Sequence, residues 1–168
     1  MKLKILSTFV IASSCGFTNF ASALEVKFSD PAWNGETIPV GQQCQKFGGE
    51  NPASPALTLS EIPLGSDLIV LEYSDRDSKK MDNGGHGIMS YAIDNAMTNI
   101  DIPSVTGHSF DIPQGFTMIE KHRGAGWDIE GAYMPPCSGA NNHAYYVTVK
   151  SMKGTTVTAE KVLEMGKY

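Results

Sequence analysis

Apolar residues along this chain come in short bursts separated by turn-forming residues, and few of them recur at the three-to-four spacing of an amphipathic helix. Leu24 to Phe28 alternates before Ser29, Asp30 and Pro31, and Ala56 to Leu59 follows Pro55. Both predict edge or outer strands. In Asp67 to Tyr73 the run Leu68, Ile69, Val70, Leu71 is continuous, as expected of a strand buried on both faces at the centre of a sheet. Ile88 to Ile93 and Ala144 to Val149 predict two more strands, the latter with Tyr145, Val147 and Val149 on one face. These three are expected to be neighbours. From Asp94 to Ala132 the sequence is rich in Gly, Pro, Asp and Asn, which predicts a long surface excursion packed only through residues such as Phe110, Phe116 and Trp127. The β-branched stretch Gly154 to Thr158 predicts a strand. Thr158 to Met165 predicts a short helix, with Thr158 as N-cap, Lys161 well placed for the dipole and Gly166 as the stop.

Composition agrees with a mainly β class. The 168 residues are 41% hydrophobic and 18% charged, enough apolar material for one core and too much for a disordered chain. With 17 Gly and 9 Pro, turns outnumber what a helical bundle tolerates. Near the N-terminus, Lys2 and Lys4 precede the apolar run Ile5 to Ala12, and Ala21, Ser22, Ala23 forms a small-x-small cleavage site. That pattern predicts a secretory leader over residues 1–23 and a single exported domain over 24–168, periplasmic or secreted. A membrane anchor is the alternative, but the run falls short of the roughly 20 residues a bilayer needs, and no transmembrane span is expected. A lipoprotein reading through Ala12, Ser13, Ser14 and Cys15 lacks the large aliphatic residue three positions before the cysteine. Cleavage would remove Lys2 and Lys4 and make a formal charge of −5 still more negative. Such a domain disfavours nucleic acid and anionic membrane surfaces.

Cys15 would leave with the leader, so the exported domain keeps Cys44 and Cys137. Two cysteines in an oxidising compartment predict one disulfide, closing a loop long enough to contribute on the order of 4 to 5 kcal/mol. Two unpaired buried thiols are the other reading. Neither a CxxC pair nor a histidine cluster at zinc spacing is present, so no metal or other cofactor is expected.

Titratable side chains gather where the best strands end or begin. Asp75 and Asp77 follow the 67–73 strand, His86 opens the next and His143 the third. If the strands are neighbours, two histidines and two carboxylates converge at one sheet edge, with Pro135, Pro136 and Gly84, Gly85 and Gly87 supplying rigid or close-approach backbone. A carboxylate that orients an imidazole raises its basicity, which allows a small anion site on an acidic protein. Taken singly, each histidine also reads as an ordinary satisfied residue, and Asp75 and Asp77 as turn formers.

The stretch Gly48 to Leu59 (GGENPASPALTL) resembles the G-x-N-x-SP-x-L-x-W segment of phosphatidylethanolamine-binding proteins, in particular the bacterial Raf-kinase-inhibitor-like YbhB/YbcL branch. Ile62 to Gly65 followed by Leu68 to Asp77 is similar to that family's V-P-x-G, strand and D-P-D-x-P loop, with His86 at the strand-opening histidine. Gly131 to Gly139, followed by His143, Ala144 and Tyr145, resembles its G-Y-x-G-P-C-P-P-x-G and H-x-Y segments. The likeness spans roughly residues 38 to 150. It implies a two-sheet β-sandwich with few short helices and a small cavity for phosphate-type anions and phospholipid headgroups, lined or supported by Asp75, His86, His143 and Tyr145. Three departures stand out. Asp75-Arg76-Asp77-Ser78-Lys79 lacks both prolines of D-P-D-x-P, which predicts a rearranged loop. Pro135-Pro136-Cys137 is one residue shorter than the family's segment, and Thr58 to Ser60 lacks the tryptophan.

The resemblance leaves three functions. The first is an exported, non-catalytic binding protein in which His86 and His143 donate to an anion, Asp75 orients a histidine or meets an ammonium, and Tyr145 walls the cavity. A protein-interaction module is the second, inhibiting a serine protease or another extracytoplasmic or host protein through the 94–132 excursion. The third is a hydrolase using a His and Asp pair; no G-x-S-x-G elbow or H-E-x-x-H motif supports it.

Overall fold

The computed structural model describes residues 23–168. The predicted leader, Cys15 included, lies outside the described residues apart from Ala23. Among the described residues, eight strands form two antiparallel sheets. The smaller sheet runs β1 (Glu25–Phe28), β2 (Leu57–Ser60), β5 (Ile100–Ile102), and the larger runs β6 (Phe116–Glu120), β4 (Ile88–Ala92), β3 (Leu68–Asp75), β7 (Ala144–Lys153), β8 (Thr156–Lys167). This is the β-sandwich expected, with one single-turn 3-10 helix at Gln45–Phe47.

The continuous apolar run lies where its pattern puts it. β3 is the middle strand, flanked by β4 and β7, and Ile69 and Leu71 are fully buried. Leu57 and Leu59 of the smaller sheet meet Leu71, Met89 and Val147 of the larger in one core, closed by the edge-to-face pair Tyr73 and Tyr133. Among the described residues no helix is long and apolar enough to cross a membrane.

Three sequence expectations need correction. Residues 158–165 are not a helix: they belong to β8, which pairs with β7 from Lys153↔Thr156 to Ala144↔Lys167. Ala159, Glu160, Lys161, Leu163 and Glu164 are good helix formers, but a long antiparallel ladder closed by the tight turn at Gly154 outweighs propensity. Thr158 caps nothing; its hydroxyl donates to the Ser151 carbonyl across the hairpin. Gly166 lies within the strand, where a Cβ would strike the Thr37 backbone at 2.7 Å. The second correction is that β2 is the centre of the smaller sheet, not an edge. Its four residues are short enough for an edge, yet it pairs with β1 on one side and β5 on the other. Third, the 94–132 excursion contains β5 and β6, and it is held by the buried Ile102, Val105, Phe116 and His122, while Phe110 and Trp127 are half-exposed.

Candidate functional site

The last residue of β3 and the first turn after it build one wall. Asp75 is paired with Tyr145 across the β3–β7 ladder, and its backbone N–H donates to Met81, so the chain leaves the sheet at Asp75 and folds back over it. The loop needs no proline. The Asp77 N–H donates to Asp75 Oδ1 at 2.8 Å, an Asx turn, while Ala144 N–H donates to Asp77 Oδ2 at 2.8 Å and Arg76 N–H to the Ala144 carbonyl at 2.9 Å. Every peptide bond among the described residues is trans. Arg76 lies over the Tyr146 ring at 4.0 Å and pairs with Glu164, and Tyr146 donates to Asp82, so the far side of the loop is clamped to β7 and β8.

A second wall comes from the segment before Cys137. Met134 runs beside His86: its N–H donates to the His86 carbonyl at 2.9 Å, and His86 Nδ1 donates to the Met134 carbonyl at 2.7 Å. That close approach requires Gly87, which has φ +120° and whose Cβ would lie 2.1 Å from the Ala132 carbonyl oxygen. Tyr145 stands edge-on to the His86 ring, centroids 5.3 Å apart, and its hydroxyl accepts the Cys137 N–H at 3.2 Å.

Between these walls lies a cavity of about 360 Å³. Asp75, His86, His143 and Tyr145 all line it, so four of the seven residues expected to contact a ligand share one space. Asp75 Oδ2 accepts from His143 Nδ1 at 2.7 Å, the carboxylate–imidazole pair that orients the ring. The other three do not line it. Asp77 holds the loop to Ala144. Pro135 packs against Gly107, where a Cβ would be 2.4 Å from its ring, and Pro136 accepts the Cys44 N–H; both support the wall from behind. Sequence reasoning missed Lys80 and Met81 on the loop, Met134 beside the prolines, and Trp127 from the excursion. The loop residues had a signal: a segment anchored at Asp75 and returning at His86 must lie over whatever those two border.

Burial decides the protonation of the cavity floor. Desolvation pulls the His86 pKa down to about 4 despite the Met134 carbonyl and the Asp75 charge, so the ring is neutral near pH 7. Its proton sits on Nδ1, which corrects one expectation: neutral His86 accepts at Nε2 and has no hydrogen there to donate to an anion. Burial likewise pushes the Tyr145 hydroxyl up to about 12, so it stays a phenol. Cys44 and Cys137 are joined in a disulfide, Cα atoms 5.2 Å apart, and Cys137 itself lines the cavity.

The fold is a two-sheet antiparallel sandwich with a small cavity at the end of its central strand, bordered by His86, His143 and Asp75. The family model for phosphatidylethanolamine-binding protein matches residues 28–166, and the chain belongs to that family. It is similar in structure to the phosphatidylethanolamine-binding protein homologue CT736 of Chlamydia trachomatis, with 21% identity, a TM-score of 0.53 and coverage of 87% of this chain and 97% of that one. It is also similar to YbcL of E. coli, described as a new member of the mammalian PEBP family, with 19% identity, a TM-score of 0.56 and coverage of 88% and 98%. At these identities the likeness is one of fold. No curated protein matches the sequence.

Proposed function

We propose that this chain is an exported, non-catalytic binding protein that holds a small phosphorylated or carboxylated headgroup in the cavity lined by Asp75, His86, His143 and Tyr145. The observation that supports it most directly is the Asp75–His143 pair at 2.7 Å bordering a cavity of a headgroup's size, with Lys80 as a cation in its lining. His143 presents its second nitrogen to the ligand, Asp75 fixes that ring, Tyr145 closes the floor, and Met81, Met134 and Trp127 give the cavity an apolar flank. Calorimetric titration of the 24–168 chain with phosphate, phosphoethanolamine and phosphocholine tests the reading, with His86→Ala and His143→Ala as controls. Binding that is lost in both variants is the expected result; no heat from any ligand, in protein shown to be folded, would overturn it.

A second reading has one observation behind it. Phe110, Trp127 and Ile129, all in the excursion, are each just over 50% exposed, the kind of anchors a protein partner buries. An inhibitor of a serine protease or other extracytoplasmic protein acting through them would keep its activity in His86→Ala.

A further inference from the structure

The hydrogen-bonding character of the cavity floor restricts what form of anion it accepts. Met134's carbonyl oxygen can only accept, so the 2.7 Å contact places the single proton of a neutral His86 on Nδ1 and leaves Nε2 a bare acceptor. The ring's one side-chain hydrogen bond is the Nδ1 contact to Met134, and His86 lines the cavity, to which Nε2 is left open. The groups around this ring are Asp75 at the end of β3, His143 just before β7 and Tyr145 on it, His122 and Asp128 from the segment after β6, and Lys80 on the loop. Of these only Lys80 is a fixed cation, and it is solvent-exposed. Burial dominates over both carboxylates and keeps His86 neutral, and it also lowers His122, which is neutral by geometry: Nε2 donates to Ile129 and Nδ1 accepts from Gly124. Asp75 spends its oxygens on Asp77 N–H and His143 Nδ1, and it adds further lone pairs to the floor. An oxyanion without a hydrogen would set lone pairs against the lone pair of Nε2.

Building on the anion-site reading above, we propose that the cavity selects tetrahedral oxyanions that retain a hydroxyl hydrogen, which is donated to Nε2 of His86, and rejects those that have none. The class is phosphate and protonated phosphate monoesters; sulfate and fully ionised monoesters are excluded. A site built to pair with an O–H rejects the analogue lacking it, because its acceptor is then unpaired and faces the ligand's own lone pairs.

The test is calorimetric titration of the purified protein with inorganic phosphate, sulfate and methyl phosphate at pH 5.5 and pH 8, at constant ionic strength. Inorganic phosphate keeps a hydroxyl at both pH values, sulfate has none at either, and methyl phosphate loses its hydroxyl between them, its second pKa being about 6. Expected are binding of inorganic phosphate at both pH values, sulfate at least tenfold weaker at both, and methyl phosphate weakening at least tenfold more than inorganic phosphate from pH 5.5 to pH 8. A change of charge on the protein alone would instead move all three ligands together. Equal affinity for phosphate and sulfate would overturn the selection while leaving the anion site standing; absence of binding by all three would overturn both. In His86→Asn the amide takes over donation to Met134 and Nε2 is gone, so the preference for phosphate over sulfate should fall to within about threefold. Unchanged discrimination in a folded variant would remove His86 from the assignment.

Discussion

His86 makes the stability of the whole domain depend on pH, and the size of the effect can be worked out. Its pKa is near 4 in the folded protein and 6.5 when unfolded, so between those values the unfolded chain binds the extra proton. The stability associated with a neutral His86 is therefore fully present above pH 6.5 and is lost as pH falls toward 4. Integrating over one group from pH 7 to pH 5 gives a loss of about 2 kcal/mol. Other carboxylates and histidines titrate as well, so the comparison that isolates this ring is against His86→Asn. Asn carries an N–H donor near the Nδ1 position and can keep the bond to the Met134 carbonyl, but it does not titrate. Urea unfolding of both proteins at pH 7, 6 and 5 should show wild type losing about 2 kcal/mol more than the variant over that range. A gap between them that stays constant to within about 0.5 kcal/mol would show that His86 is not held neutral by burial, and the assignment of Nε2 as an acceptor would fall with it.

Three further outcomes follow from the same geometry. Replacing both Cys44 and Cys137 by Ala opens a loop of 93 residues and should lower stability by about 4 to 5 kcal/mol at most, read by urea unfolding; a loss under about 1 kcal/mol would mean the unfolded chain is barely constrained by the bridge. Gly87→Ala adds a Cβ 2.1 Å from the Ala132 carbonyl at φ +120° and should cost more than about 3 kcal/mol, whereas Gly126→Ala, at φ +86° with nothing within 4 Å, should cost about 1 kcal/mol; comparable melting shifts would contradict the close approach at Met134. Tyr145→Phe leaves the buried Cys137 N–H without its acceptor and should cost about 1 to 3 kcal/mol in thermal unfolding, and an unchanged midpoint would show that the 3.2 Å bond contributes nothing.

What was legible in the fold was whatever one strand's own pattern decides. Leu68 to Leu71 has the pattern of a doubly buried strand, and the two strands beside it followed because their apolar faces need it. β8 was misread for a physical reason: on an edge strand the burial alternates weakly, so Glu160, Lys161 and Glu164 display helix propensity with no strong period-two signal against it. The evidence for a strand lay in β7, in the partners Lys150 and Val149, and not in residues 158–165 themselves.

The candidate site divides along the same line. Asp75, His86 and His143 were legible because each sits at the end or opening of a well-marked strand, and once three strands are neighbours their ends must meet; Tyr145 came from the family resemblance. Pro135 and Pro136 were placed at the cavity because proline signals rigid backbone, yet rigidity is as useful behind a wall as in it; the side chains that face inward are Met134 and Cys137 on either side. The charge state of the floor was beyond any local reading. It depends on a carbonyl 48 positions from His86 and on how little water reaches the ring, and both exist only once Gly87 lets the Met134 segment close over it. A histidine read from sequence as a donor to an anion is thus, in the folded domain, a neutral ring whose Nδ1 proton is already given to Met134.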